Sequence, residues 1–168
     1  QPGAAQLVNE NLLTKLPDGY KIGYQNRKDN ALISEMVPQA ETVENWTEMV
    51  TVQIFFGSKL GPHEFKARME KLWAGSCPGG QPRSISDGVE RGYSTATWLM
   101  ACPFNPATKK PEITWFKAIQ GNDSFYVVQK AFKFMPSQEQ ASQWTRYLND
   151  VTVCDSRLAD RACPKTKE

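Results

Sequence analysis

The 168-residue chain sets 20 Lys and Arg against 18 Asp and Glu, a formal charge of +2, and 40% of its residues are apolar. So small and scattered a charge excludes the electrostatic footprint of a nucleic-acid binder, and the apolar fraction, with five Trp, five Tyr and eight Phe, excludes a disordered chain. The length suits one domain burying roughly 70% of its unfolded surface without a metal or cofactor, and no apolar run approaches the ~20 residues of a membrane span.

The opening Gln1-Pro2-Gly3-Ala4 is expected of a chain from which a targeting segment has been removed. Residues 1–19 read as an N-terminal lead-in with a helical turn among Leu7, Val8, Leu12, Leu13 and Leu16, closed by the turn former Pro17-Asp18-Gly19. Residues 20–168 read as a single α+β domain. Tyr20, Ile22 and Tyr24 alternate with polar residues, predicting a strand to Arg27 that turns at Asp29-Asn30 into a second strand over Ala31 to Val37. A polar loop, Pro38 to Trp46, leads into a third strand from Glu48 to Phe56. There Val50, Val52, Ile54 and Phe56 share one face.

Pro62 fits the first position of a helix, along which Phe65, Met69, Leu72 and Trp73 form one inward stripe, with Gly75 as the C-terminal stop. After the Cys77-Pro78-Gly79-Gly80 loop, extended segments at Ser84 to Val89, Arg91 to Ala101, Glu112 to Gln120 and Ser124 to Phe134 predict an antiparallel meander, with hairpin loops at Asn105 to Pro111 and Gly121 to Asp123. A final helix follows Pro136. It is capped by Ser137 with Gln140, has Ala141, Trp144, Tyr147 and Leu148 facing inward, and ends at Asn149-Asp150. The basic residues Arg157, Arg161, Lys165 and Lys167 are interrupted by Asp155 and Asp160 and followed by Glu168, the pattern of a solvated tail. The fold class is therefore α+β, an antiparallel sheet of about six or seven strands with two main helices packed on it.

Cys77, Cys102, Cys154 and Cys163 are even in number and widely spaced, which favours disulfides over a metal site. Three pairings are open, and sequence locality favours Cys77 with Cys102 and Cys154 with Cys163, the second stapling the C-terminal segment. Bridges imply an oxidising compartment, periplasmic or extracellular.

His63-Glu64 begins like the zinc-protease helix motif, but position 67 is Ala and His63 is the chain's single histidine. It reads as a surface residue at a helix N-terminus. Gly92-Tyr93-Ser94-Thr95-Ala96 resembles a loosened nucleophile elbow, yet a strand continues after it and no histidine lies downstream. Cys77 with His63 as its base lacks a local signature. No phosphate-cradling glycine loop is present. These readings assign no catalytic, metal-binding or cofactor-binding residue. Trp46 in its polar loop, and Trp98 and Trp115 on neighbouring strands, are the candidate partner-binding residues, against the plainer reading of strand tryptophans as packing.

The stretch from Pro111 to Phe132, PEITWFKAIQGNDSFYVVQKAF, resembles uncharacterised exported proteins of proteobacteria, which implies the periplasm and no particular activity. The order of elements is similar to that of the PsbP and Mog1-like α/β/α sandwich, whose members are mostly non-enzymatic accessory or binding proteins. The expected function is a non-enzymatic exported binding or accessory module with an unidentified protein or small-molecule partner and no integral membrane segment. The alternatives are a hydrolase of unrecognised type and a secreted inhibitor or host-facing factor.

Overall fold

The computed structural model describes residues 6–165; the opening residues Gln1 to Ala4, and Lys167 and Glu168 of the basic tail, lie outside the described residues. In chain order the elements are β1 (Glu10–Leu13), β2 (Tyr20–Lys28), β3 (Ala31–Pro38), β4 (Glu48–Phe56), α1 (Pro62–Ser76), β5 (Gln81–Glu90), β6 (Tyr93–Asn105), β7 (Lys110–Gln120), β8 (Ser124–Phe132), α2 (Gln138–Asp150) and β9 (Thr152–Asp155), followed by a 3-10 turn at Ala159–Arg161. Strands β2 to β8 form a seven-stranded antiparallel sheet in the order β2-β3-β4-β8-β7-β6-β5, and β1 pairs with β9 in a separate two-stranded ribbon. The architecture is α+β.

Local chemistry explains most of the boundaries. The β5–β6 hairpin turns on Arg91 and Gly92, both at positive φ, as a tight two-residue hairpin requires. Arg91 is therefore a turn residue, and the strand expected to begin there starts at Tyr93. Ser137 and Gln140 form the reciprocal capping box of α2. Gly75, the expected stop of α1, lies inside the helix, which runs on to Ser76. The free edges are blunted: β5 carries Pro82 and a bulge, and β2 carries a bulge with Lys21, Arg27 and Lys28.

Alternation along the strands sends side chains to two cores. One gathers Val50, Val52, Trp115, Tyr126, Val128 and Phe132 beneath Trp144 and Leu148 of α2, with Val153 of β9 and the partly buried Leu12 of β1. The other gathers Trp98, Met100, Phe116, Ala118, Phe125 and Val127 beneath Phe65 of α1. The supposed lead-in is thus partly strand: Glu10 to Leu13 pair with Asp155 to Thr152. Glu10 fastens this ribbon to the main sheet, its carboxylate accepting the backbone N–H groups of Asn122 (2.6 Å), Asp123 (3.1 Å) and Ser124 (3.2 Å) and the hydroxyl of Tyr126 (2.9 Å). At Gly121 any Cβ would collide with that carboxylate.

Two disulfides close the structure, Cys77–Cys102 between the end of α1 and β6, and Cys154–Cys163 between β9 and the C-terminal segment. This is the pairing that sequence locality favours. Arg157 reinforces the second staple by bonding Asp155 and Asp123 at 2.7 and 2.6 Å.

Lys117 fixes the other helix. It is 1% exposed and donates to the carbonyls of Val151 (2.7 Å) and Leu148 (3.0 Å) at the C-terminus of α2, and to Glu90 (2.9 Å). The Leu148 carbonyl also accepts the Val151 backbone N–H at 3.1 Å. A cation beside carbonyls at the negative end of a helix dipole is stabilising. Replacing Lys117 with Met strands the Val151 carbonyl and removes the second hydrogen bond of Leu148, and urea denaturation is expected to show a loss of about 2–4 kcal/mol with an unchanged slope. Removing the bridges with loop separations of 25 and 9 residues by Cys→Ser pairs is expected to cost about 3.5 and about 2.6 kcal/mol. A Lys117→Met variant as stable as the parent contradicts the capping role.

Candidate functional site

The tryptophans separate sharply. Trp98 is fully buried, stacked on Phe116 with ring centroids 5.0 Å apart, and Trp115 is 6% exposed, edge-on to Phe132 at 5.7 Å. They do lie on neighbouring strands, but Trp98 pairs across with Phe116 and Trp115 with Leu99, so their side chains enter opposite cores. Neither is presented to a partner; both are packing residues. Trp46 is half-buried, and the Lys133 ammonium sits 3.9 Å from its ring centre, a cation–π contact at one end of the sheet.

His63 is exposed, as expected, its Nε2 2.6 Å from an Asp87 carboxylate oxygen. Ser94 is a strand residue. Among the described residues no group of three or more His, Cys, Asp or Glu is placed to hold a metal ion.

The second buried lysine is Lys130, fully enclosed on β8 by the rings of Trp144 (3.7 Å), Phe132 (4.6 Å) and Tyr20 (4.8 Å). Its ammonium donates to the Tyr20 hydroxyl at 2.5 Å and to Glu48 at 2.9 Å. Burial pulls its pKa down to about 8 against the opposing pull of Glu48, and burial raises the Tyr20 phenol well above its ordinary value. A lowered lysine pKa is a mark of many functional sites. Here the cage is filled by the protein's own ammonium, and the arrangement joins β2, β4, β8 and α2.

An open surface lies on the other side of the sheet. Continuing the strand register, the α1 side of β3, β4 and β8 carries Ile33, Glu35, Thr51, Gln53, Gln129 and Ala131, all half-buried, with the Gln129 amide donating to Gln53 at 2.9 Å. Helix α1 covers β6, β7 and the start of β8, and does not extend over these positions. The register Ile113↔Phe132 places Lys133 beside Glu112, so the row Glu112, Lys133, Trp46 borders this floor at one end.

The α1 edge of the same face is apolar. Leu72, 64% exposed, lines a depression of about 380 Å³ with Met69, Trp73, Asn105, Glu112 and the Cys77–Cys102 bridge, and Phe104, between Cys102 and Asn105 in the chain, is 54% exposed. Leu72 was expected in the inward stripe. At 3.6 residues per turn it projects within about 20° of buried Phe65, seven residues earlier, so its exposure comes from its place in the C-terminal half of α1 and not from its helical angle.

No protein-family model matches the chain, and no curated protein is similar to it in sequence. Among solved structures the chain is similar to a mutant of protein Mog1, at 15% identity over 81% of this chain and 78% of that one with a TM-score of 0.49. It is also similar to the Saccharomyces cerevisiae Ran-binding protein Mog1p, at 13% identity over 84% and 85% with a TM-score of 0.47.

The Lys130 cage gives stability a definite pH dependence. With a folded pKa near 8 below the unfolded value of about 10.4, the unfolded chain binds more protons between these limits, so stability rises from pH 8 toward 10. Above pH 10 it falls, because Tyr20, Tyr126 and Tyr147, raised by burial, stay protonated in the fold while unfolded tyrosines ionise. Denaturation from pH 7 to 11 is expected to show this maximum. In Lys130→Met, expected to lie within about 1 kcal/mol of the parent because Glu48 can still hydrate, the rise is expected to vanish. An unchanged pH profile in that variant overturns the assignment.

Proposed function

We propose that the chain is an exported, non-enzymatic binding or accessory module that docks a protein partner on the α1 side of its sheet. The observation that carries this reading is the uneven covering of the two faces. Helix α2, the β1–β9 ribbon and the Lys117 and Lys130 contacts cover most of one face, leaving a depression beside α2 at Arg83, Ile85 and Leu99. On the other face Val37 and Met49 are buried, with Val43 of the β3–β4 loop close to Val37, and the floor of Thr51, Gln53, Gln129 and Ala131 stays half-exposed on the side of the sheet that carries α1 and its exposed Leu72. Exposed apolar residues beside flat polar positions and a half-exposed aromatic make a surface of the composition found at protein interfaces. Trp46, beneath Lys133, belongs to this docking surface as an anchor at its end.

Both buried lysines spend their protons on internal acceptors, so the groups with the most perturbed surroundings serve the fold. The two disulfides support an oxidising compartment, the periplasm or the cell exterior. No helix of the described residues is long and apolar enough to cross a membrane.

Photocrosslinking amino acids at positions 72 and 131, with position 146 on α2 as the control, test the reading in source cells. Discrete adducts to one partner, identified by mass spectrometry, are expected from 72 and 131 and not from 146, with the partner in the same extracytoplasmic fraction. Ala131→Arg is expected to reduce the adduct from position 72 at least tenfold. Adducts from position 146 alone, or a protein recovered reduced and cytoplasmic, contradict the proposal.

A further inference from the structure

The C-terminal half of α1 has a charge pattern that narrows the chemistry of what it can dock. Leu72 and Ser76 line two depressions, one on each side of the helix ridge. Toward the β6–β7 hairpin lies the depression of about 380 Å³ whose polar wall is Asn105 and Glu112, the amide donating to the carboxylate at 3.0 Å. On the outer side lies a shallower one of about 510 Å³, lined by Arg68, Lys71 and Gly75 and without an acidic residue in its wall. Arg68 is paired with Glu64 at 2.9 Å along the helix, whereas among the described residues Lys71 has no carboxylate within ion-pair distance. At Gly75 an added Cβ would meet nothing within 4 Å, so the outer face of the last turn is smooth and open.

An occupant of this ridge must place apolar side chains on both sides of Leu72, which an amphipathic helix does with residues at spacings of three and four. The smooth turn at Gly75 lets such a helix approach closely. Charge decides the rest. A carboxylate on the outer flank of the occupant meets Lys71, with Arg68 and its Glu64 partner one turn away. A carboxylate on the inner flank meets Glu112, which the depression's wall presents and beside which Lys133 stands at the far end toward Trp46. Resting on the docking role proposed above, we infer that the ridge around Leu72 takes an amphipathic helix of a protein partner, acidic on the flank that faces Lys71 and Arg68.

The test uses the intact, oxidised chain and two fluorescent 18-residue helical peptides with the same leucine stripe, one with glutamates along one flank and glutamines along the other, its counterpart with lysines for the glutamates. Anisotropy titrations at low salt are expected to give the acidic peptide at least tenfold tighter binding than the basic one. That preference is expected to reverse in the Arg68→Glu/Lys71→Glu variant and to be unchanged by Arg146→Glu on α2. Leu72→Asp is expected to lower affinity for the acidic peptide at least tenfold, with circular dichroism confirming that each variant is folded. Equal affinity for the two peptides, no binding of either, or a preference that follows Arg146 as strongly as Lys71 overturns the inference. If crosslinks from positions 72 and 131 persist in that case, the docking reading stands and only the acidic-helix assignment fails; if those crosslinks are absent as well, both fail.

Discussion

Seven strands spaced by about 4.8 Å make a sheet about 29 Å across, whereas a helix with its side chains is about 10–12 Å wide. One helix per face therefore covers two or three strands and leaves the remainder to be closed by something else. On the α2 side the chain supplies it, in the β1–β9 ribbon and the segment stapled by Cys154–Cys163. On the α1 side the β3–β4 loop brings Val43 close to Gly23 and Val37, and Val37 and Met49 are buried, while the middle of β3 and β4 and the end of β8 keep a half-exposed floor between loop and helix. The floor left there is built of Thr, Gln, Glu and Ala with a single Ile, side chains that tolerate water and can still pack against a partner.

The closed face depends on charges placed inside an apolar layer. Lys117 stands between Trp115 and Ile119 on β7, and Lys130 between Val128 and Phe132 on β8, at positions where the alternation calls for apolar side chains. Desolvating an ammonium is costly, so each survives only with a full set of partners. Lys117 finds them in the carbonyls that end α2, and Lys130 in a hydroxyl, a carboxylate and three aromatic rings. The physical role differs between the two. Lys117 supplies a hydrogen bond to the Val151 carbonyl and a second one to that of Leu148, whereas Lys130 carries an ionisable group whose replacement by an apolar chain removes a cost as well as a contact. Both tie α2 to the sheet, so the helix that covers this face is also the one fixed in place most firmly.

Much of this arrangement was legible in the residues. Strands β2 to β8 and both helices follow from alternation, turn formers and the Ser137–Gln140 cap, and the disulfide pairing follows from locality. What escaped depends on long-range register. The ribbon strands Glu10–Leu13 and Thr152–Asp155 have four residues each and become strands only by finding each other across nearly the whole chain. The opposite facing of Trp98 and Trp115 follows from a register interrupted by a bulge between Cys102 and Asn105, which the loop sequence does not reveal. Leu72 looked inward because it shares the helical direction of Phe65 and follows Met69 by three, but of the two only Phe65, in the first half of α1, meets the core. The two lysines did leave a signal, since a lysine at an apolar position of a buried strand must have a partner, and the mate for each lies in another element.

The α1 side of the sheet, rather than the α2 side, is the face that engages a partner under this proposal. Hydrogen exchange of the oxidised protein, alone and bound to the partner recovered by crosslinking, measures this directly. The prediction is added protection in peptides spanning β3, β4, the end of β8 and the last turns of α1, with α2 and β9 unchanged. Protection centred on α2 and the β1–β9 ribbon, with the α1 side unaltered, would contradict it.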